Sequence, residues 1–298
     1  MKQKYRPSDV FLDHAAKAKS LVEACLAEAY PSDKADSVER TGEAMRYMIF
    51  LGDGGKRLRP ALALMAAEAC GGDAAAALPY AQGVEEIHTY TLVLDDFQDR
   101  SDTRRSMPTC HVHFGINTAL LAGQRLFQRG LAPFHRLPEP YQPDVRQLCD
   151  LLHQGQAADL DAATWPDDRH TVANLHFIHG GKASALLQLA LLGGSVAAGA
   201  TSRQIEGLQQ YGYYLGLAFQ TRDDVLGASS TQAEIGKPAG GEVDRNKLTY
   251  IRLLGSVEAA QEAAMKLAEA ACKYLELSEL KDASLLRELA DYSVLRGN

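Results

Sequence analysis

The sequence predicts an all-α fold, and three observations lead there. Apolar residues recur at intervals of three and four rather than two. Alanine and leucine are abundant while aromatics make up only 7%, a balance that favours helix over sheet. Glycine and proline gather mostly in short breaks between the periodic runs.

In chain order, Leu21, Ala24, Cys25 and Ala29 mark a first helical stripe. Leu62, Met65, Ala66 and Ala69 mark another, entered through the turn Gly52 to Gly55. The run from Val84 to Leu94 is more apolar than polar and reads as a largely buried helix. Ala183 to Ser202 carries no charged residue over twenty positions, which raises the question of a membrane span. Gln188, Ser184, Ser195 and the glycines at 193, 194 and 199 favour a fully buried helix of a large helical domain instead. Tyr211 to Ala218 is a further apolar helix, and Leu286, Leu289 and Tyr292 give the closing stripe. Breaks at Gly71-Gly72, Pro138 to Pro143, Trp165-Pro166, Gly193-Gly194 and Gly236 to Gly241 leave about ten helical segments joined by short loops. No period-two run suggests a strand. Without a composition shift, linker or fixed repeat, residues 1–298 are expected to form a single domain.

Of the 298 residues, 46% are hydrophobic and 23% charged, enough for a sizeable core. The net charge of −7 argues against a nucleic-acid partner, which calls for a basic face. The five cysteines are odd in number and widely spaced, with no CxxC pair, so neither a disulfide framework nor a zinc site is expected. A reducing cytoplasm suits them. Met1 to Val10 has no apolar signal core, and no transmembrane segment is expected.

The chemistry concentrates in Asp95-Asp96-Phe97-Gln98-Asp99. On a helix, Asp95 and Asp99 stack on one face, and their repulsion costs a few tenths of a kcal/mol or more. A cation between them removes that cost, and hard oxygen ligands on one face suit Mg²⁺. A solvated helix end would account for one such cluster equally well. A second acidic pair, Asp223-Asp224, follows the apolar helix Tyr211 to Ala218, and two acidic walls facing across a cavity could grip a diphosphate through metal.

Basic residues accompany the acidic ones. Gly54-Gly55-Lys56-Arg57-Leu58-Arg59-Pro60 is a glycine turn, then cations, then a helix start, a combination that attracts anions. It is not a P-loop, because the glycine–lysine–hydroxyl spacing is wrong. Arg104 and Arg105 follow the first acidic cluster and suit bidentate phosphate contacts. Lys182, Lys237 and Lys247 lie in or beside further loops. Taken singly, each lysine reads as a solvated surface charge; together they suggest two anionic groups, one held through metal and one directly.

In these motifs the chain resembles the trans-isoprenyl diphosphate synthases, or polyprenyl synthetases. The resemblance runs through Gly54 to Pro60, His88 to Gly115, Gly155-Gln156-Ala157-Ala158-Asp159-Leu160, Gly181-Lys182, Phe219 to Gly227, Gly236-Lys237-Pro238 and Leu289-Ala290-Asp291-Tyr292. It implies a large helical bundle around a deep cavity, assembled as a homodimer. It implies Mg²⁺ bound by Asp95, Asp99 and Asp223, with roughly three ions in each site and with Asp96 and Asp224 in support. Arg104, Lys182, Lys237, Lys247 and Gln220 would attend the allylic diphosphate. Isopentenyl diphosphate would rest on Lys56, Arg59, His88 and Arg105. The implied reaction is ionisation of the allylic diphosphate, attack by isopentenyl diphosphate and loss of a proton. Three positions depart from the family pattern: Gly227 replaces a frequent aspartate, Ala183 a frequent threonine and Ser106 a frequent glycine.

Tyr90 lies five residues before Asp95, about 7–8 Å along a helix axis. With Thr91 it is the candidate floor that limits product length, and within the family this pattern resembles enzymes making geranylgeranyl diphosphate, with farnesyl diphosphate next. Two rival readings are a terpene cyclase on the same fold, which needs no second anion site, and a non-catalytic partner subunit, which would be expected to lose metal-binding aspartates.

Overall fold

Helices begin where side chains satisfy their first orphan N–H groups. In the computed structural model, which describes residues 5–31, 40–229 and 247–296, Ser8 caps α1 (Asp9–Ala29) by accepting from the Phe11 N–H. Asp73 caps α4 (Ala74–Gln98), Ser256 caps α12 (Val257–Leu277), and Thr249 caps the short α11 (Tyr250–Leu254) in the same way. The remaining helices are α2 (Arg40–Ile49), α3 (Leu58–Ala69), α5 (Cys110–Phe114), α6 (Ile116–Leu131), α7 (Gln142–Ala162), α8 (Val172–His179), α9 (Ala185–Ala197), α10 (Ser202–Ser229) and α13 (Ser284–Leu295). The all-α expectation holds.

α3, α4, α9 and α10 form the frame of the site. α9 packs against α3, α4 and α10, while α4 also packs on α6, and α10 on α12. α3 and α9 are apolar on nearly every side and sit deep in one continuous hydrophobic core. The uncharged stretch from Ala183 is therefore buried by protein as far as Ser195, whereas the expected single helix to Ser202 ends at Ala197, and Gly199, Thr201 and Ser202 are exposed. Among the described residues no helix is long and apolar enough to cross a membrane.

Two features were not legible in the sequence. A two-stranded hairpin pairs Thr103-Arg104 with Met107-Pro108. Strands of two residues are too short to show a period of two. Its turn residues Arg105 and Ser106 both have positive φ, 51° and 62°, as a tight two-residue hairpin turn requires. Ser106 thus occupies a left-handed position that glycine fills without strain. The second feature is a widened, π-helical turn over Gly180–Ser184 between α8 and α9. It packs backbone to backbone on α7: a Cβ on Gly155 would lie 2.6 Å from the Gly181 Cα.

Candidate active site

The first acidic cluster closes α4. Asp99 is its C-cap, and no basic residue stands in the last turn. Carboxylates at a helix C-terminus add to the negative end of the macrodipole, an arrangement that a cation relieves. Asp95 is half-buried, and burial pushes its carboxyl above the ordinary value, with Lys182 pulling it down and Asp99 pushing it further up. Its Oδ1 accepts from Gln156 Nε2 at 2.6 Å and lies 4.0 Å from Lys182 Nζ. Asp96 points the other way. It is buried, and both its oxygens accept from Arg104 Nε at 2.9 Å. The three aspartates therefore divide: Asp95 and Asp99 toward the site, Asp96 tying the hairpin arginine to α4.

The second cluster lies within α10. Burial raises the Asp223 carboxyl, while Arg296, Arg59 and Lys56 pull it down. Arg296 bonds Asp223 directly and stacks over the Phe219 ring at 3.9 Å. Burial pushes Asp224 up to about 7, opposed by Lys247 and a hydrogen bond from Gln220. Its Oδ2 is buried without a hydrogen-bond partner among the described residues. Gly227, four residues after Asp223, is exposed with open space around it, so nothing steric keeps an aspartate out.

Asp159 joins the two walls. Its carboxylate accepts from Lys182 Nζ at 2.6 Å and lies 3.7 Å from Lys247 Nζ. Burial pushes its pKa up, but the two lysines outweigh that and hold it below the ordinary value. Asp159 and Gln156 had no assigned role in the sequence reading. The signal was present: on α7 they lie three residues apart, one helical turn, in a segment that carries the family resemblance. Arg296 was missed outright, since a lone arginine near a chain end has no pattern.

The cationic loop also divides. Arg57 turns inward: it is buried, has a positive φ of 50°, bonds Glu85, and donates from Nη2 to the Ile49 carbonyl at 2.7 Å. Lys56 is exposed, with Nζ 3.2 Å from the Tyr292 hydroxyl. Arg59 Nη1 lies 3.3 Å from His88 Nε2, and its buried Nε has no hydrogen-bond partner among the described residues. Burial and then the nearby arginines hold His88 well below the ordinary histidine value, so it is neutral and Nε2 accepts. Arg105 lies against the loop: a Cβ on Gly55 would collide with its guanidinium, and Nη1 donates to the Leu51 carbonyl at 3.1 Å. Arg59 and His88 are thus in contact, with Arg105 against the glycine turn that precedes Lys56. Lys237 lies outside the described residues. Ala183 is buried beside Arg59 and Phe219 at a cavity of about 30 Å³.

The donor set fits Mg²⁺. Asp95, Asp99, Asp223 and Asp224 offer hard oxygens, and among the described residues Asp224 includes a buried one without a hydrogen-bond partner. Among the described residues no three His, Cys, Asp or Glu side chains form a ready metal cage. The remaining ligands must come from water and phosphate oxygen, which is how Mg²⁺ is commonly held.

Comparisons with known proteins bear on the family. The polyprenyl synthetase family model matches residues 38–286. A chloroplastic geranylgeranyl pyrophosphate synthase of Arabidopsis thaliana is 38% identical over 86% of this chain and 74% of its own length. A farnesyl diphosphate synthase of Geobacillus stearothermophilus is 37% identical over 82% of this chain and 84% of its own. A polyprenyl synthase of Caulobacter crescentus, solved with calcium and isoprenyl diphosphate, superposes with a TM-score of 0.81 at 25% identity, covering 99% of this chain and all of its own. Similarity that extends through nearly the whole fold, with the acidic and cationic walls in place, leads to one conclusion: the chain belongs to the polyprenyl synthetase family.

Proposed function

We propose that this protein condenses isopentenyl diphosphate with an allylic diphosphate to make geranylgeranyl diphosphate, or next farnesyl diphosphate. The observation that carries the reading is the opposition of two unlike anion sites. One is an acidic wall suited to a metal-held diphosphate. The other is Arg59, whose buried Nε has no hydrogen-bond partner among the described residues, with Lys56, His88 and Arg105 nearby. A terpene cyclase has no use for the second. The retained Asp95, Asp99 and Asp223 argue against a non-catalytic partner.

When bound, Mg²⁺ would be held by Asp95, Asp99 and Asp223 and would stabilise negative charge developing on the departing pyrophosphate. Lys182, Lys247 and Arg104 add positive charge toward the same group, and Asp159 aims the first two. That positive charge grows in value as the leaving group ionises, which is the differential stabilisation catalysis needs. Arg59, Lys56 and Arg105 hold isopentenyl diphosphate, with neutral His88 orienting Arg59. Pyrophosphate itself is the nearest base for the final proton. Family resemblance supports roughly three ions per site and a homodimer, and free cysteines support a cytoplasmic setting.

The deciding experiment is product analysis with isopentenyl diphosphate and five-, ten- and fifteen-carbon primers in Mg²⁺. Elongated diphosphates are expected. Hydrocarbon released from an allylic diphosphate alone would mean a cyclase, and no turnover by the purified chain would mean a partner subunit.

A further inference from the structure

Lys56 follows the glycine turn, and α1 fixes the backbone around it. Lys19 Nζ donates to the Asp53 carbonyl at 3.4 Å, and Asp53 Oδ1 accepts from the Gly55 N–H at 3.0 Å. Glu23, one turn beyond Lys19 on α1, lies 3.7 Å from Arg57 Nε. The chain is thus held on both sides of Lys56. Its side chain is a different matter. It is exposed, and its flexible stem gives the ammonium many positions. A contact from the far end of the chain narrows them: Lys56 Nζ donates to the Tyr292 hydroxyl at 3.2 Å. The same ammonium helps to pull down the Asp223 carboxyl, so it stands on the side of the turn that faces the second acidic wall.

Tyr292 is on α13, and its ring is not free to follow the lysine. Its centroid lies 5.8 Å from that of Phe11, a buried residue of α1. Ser8, the N-cap of α1, donates from Oγ to Glu288 Oε2 at 2.6 Å, and its backbone N–H donates to the other carboxylate oxygen. Glu288 stands one turn before Tyr292 on α13. The start of α1 is therefore fastened to α13 and packed on it through Phe11, and Tyr292 presents its hydroxyl to Lys56 from this joint.

We propose that Tyr292 is a positioning residue for the second anion site, its hydroxyl holding the Lys56 ammonium where isopentenyl diphosphate arrives. The inference rests on the condensation proposed for this protein, in which Lys56 takes the second diphosphate. The hydroxyl accepts one of the three ammonium N–H groups and leaves two for phosphate oxygen. Placing the charge beforehand spares the ordering of a long side chain at the moment of binding, a cost that would weaken the hold on the ligand. On this reading the allylic diphosphate is held through the acidic clusters and Lys182, so the effect falls on one substrate.

The test is steady-state kinetics of the full chain in Mg²⁺, varying isopentenyl diphosphate at saturating ten-carbon primer and then the reverse. Tyr292→Phe keeps the ring against Phe11 and removes the acceptor. It is expected to raise KM for isopentenyl diphosphate about fivefold, the factor that corresponds to a hydrogen bond of about 1 kcal/mol, with kcat, the primer KM and Tm as in wild type. Lys56→Ala should raise the same KM further, and adding Tyr292→Phe to it should change nothing more, because the tyrosine acts through the lysine. An unchanged KM in Tyr292→Phe would overturn the proposal, as would an unchanged KM in Lys56→Ala. A further fivefold rise in the Lys56→Ala background would overturn it too, since the hydroxyl would then act without the lysine. A lowered Tm with both KM values raised would reduce Tyr292 to a packing residue and refute the role. A wild-type chain that elongates no primer would instead overturn the condensation on which the role depends.

Discussion

Asp224 Oδ2 lies 3.5 Å from His179 Nε2, yet burial drives the two groups to opposite protonation preferences. Asp224 is raised to about 7 and His179 lowered to about 3. Among the described residues, Oδ2 of the first and Nδ1 of the second have no hydrogen-bond partner. The pair sits where α8 meets the second acidic wall, so what happens to its charge bears on the metal-free protein.

The pH dependence of stability follows from those shifts. The unfolded chain protonates a histidine near 6.5 that the folded chain keeps neutral to about 3, so His179 supplies its full stability above pH 6.5 and loses it as pH falls. Asp224 acts in reverse. The folded chain binds its proton near 7 and the unfolded chain only near 3.8, so stability rises as pH falls through that window. Between pH 7 and 5 each amounts to about 2 kcal/mol, and they nearly cancel. Asp224→Asn removes the gain and exposes the loss. Urea denaturation without divalent cation should show the variant losing about 2 kcal/mol more than wild type between pH 7 and 5. Equal pH profiles would refute the account.

The hairpin turn yields a prediction about stability alone. Ser106 pays for a left-handed backbone that glycine adopts freely. Ser106→Gly should stabilise the protein by about 1 kcal/mol, visible as a rise of a few degrees in Tm. A fall in Tm would mean that the serine side chain contributes more than its backbone costs.

Asp159 should matter to both stability and turnover. Asp159→Asn keeps an amide acceptor but removes the charged partner, so that among the described residues the carboxylate remaining near Lys182 is Asp95 at 4.0 Å. Loss of one partner from a largely buried pair is expected to cost about 1–3 kcal/mol, discounted for the residual exposure of Lys182. Turnover should drop by about tenfold or more as Lys182 loses its aim. Calorimetry and steady-state kinetics check the two effects separately, and wild-type values in both would show Asp159 to be dispensable.

Gly227 invites a paired comparison. Gly227→Ala fills open space on an exposed helical face and should stabilise α10 by up to about 1 kcal/mol. Gly227→Asp places a third carboxylate one turn beyond Asp223, repeating the Asp95–Asp99 spacing. It should lower the Mg²⁺ concentration for half-maximal activity severalfold, whereas the alanine variant should leave it unchanged. A Mg²⁺ titration of activity in both variants distinguishes a metal effect from a helix effect.

The sequence was most readable where function sits on regular helix. Asp95 and Asp99 could be placed on one face of α4 because their spacing matches a helical turn, and α9 could be recognised as buried from its composition. It was least readable where one residue type serves two ends. Nothing in Lys56-Arg57-Leu58-Arg59 says that Arg57 turns inward to Glu85 while Arg59 faces the cavity; the left-handed backbone at Arg57 decides it. Arg296 reaches Asp223 across 73 residues of chain, a pairing with no local trace. The hairpin stayed hidden because its turn lacks the glycine that would announce it.

The wide turn at Gly180–Ser184 sets a phase relation along the chain. One additional residue in a turn offsets everything beyond it by about 100° relative to an uninterrupted α-helix. The stripe of α8, drawn onward from Leu175 and Ile178 as if α8 and α9 were one rod, therefore points to the wrong side of α9. Deleting a single residue from this turn would do more than shorten it: the helix after it would rotate by more than a quarter of a revolution, turning buried leucines away from the core they fill and carrying the Lys182 ammonium out of line with Asp159 and Asp95.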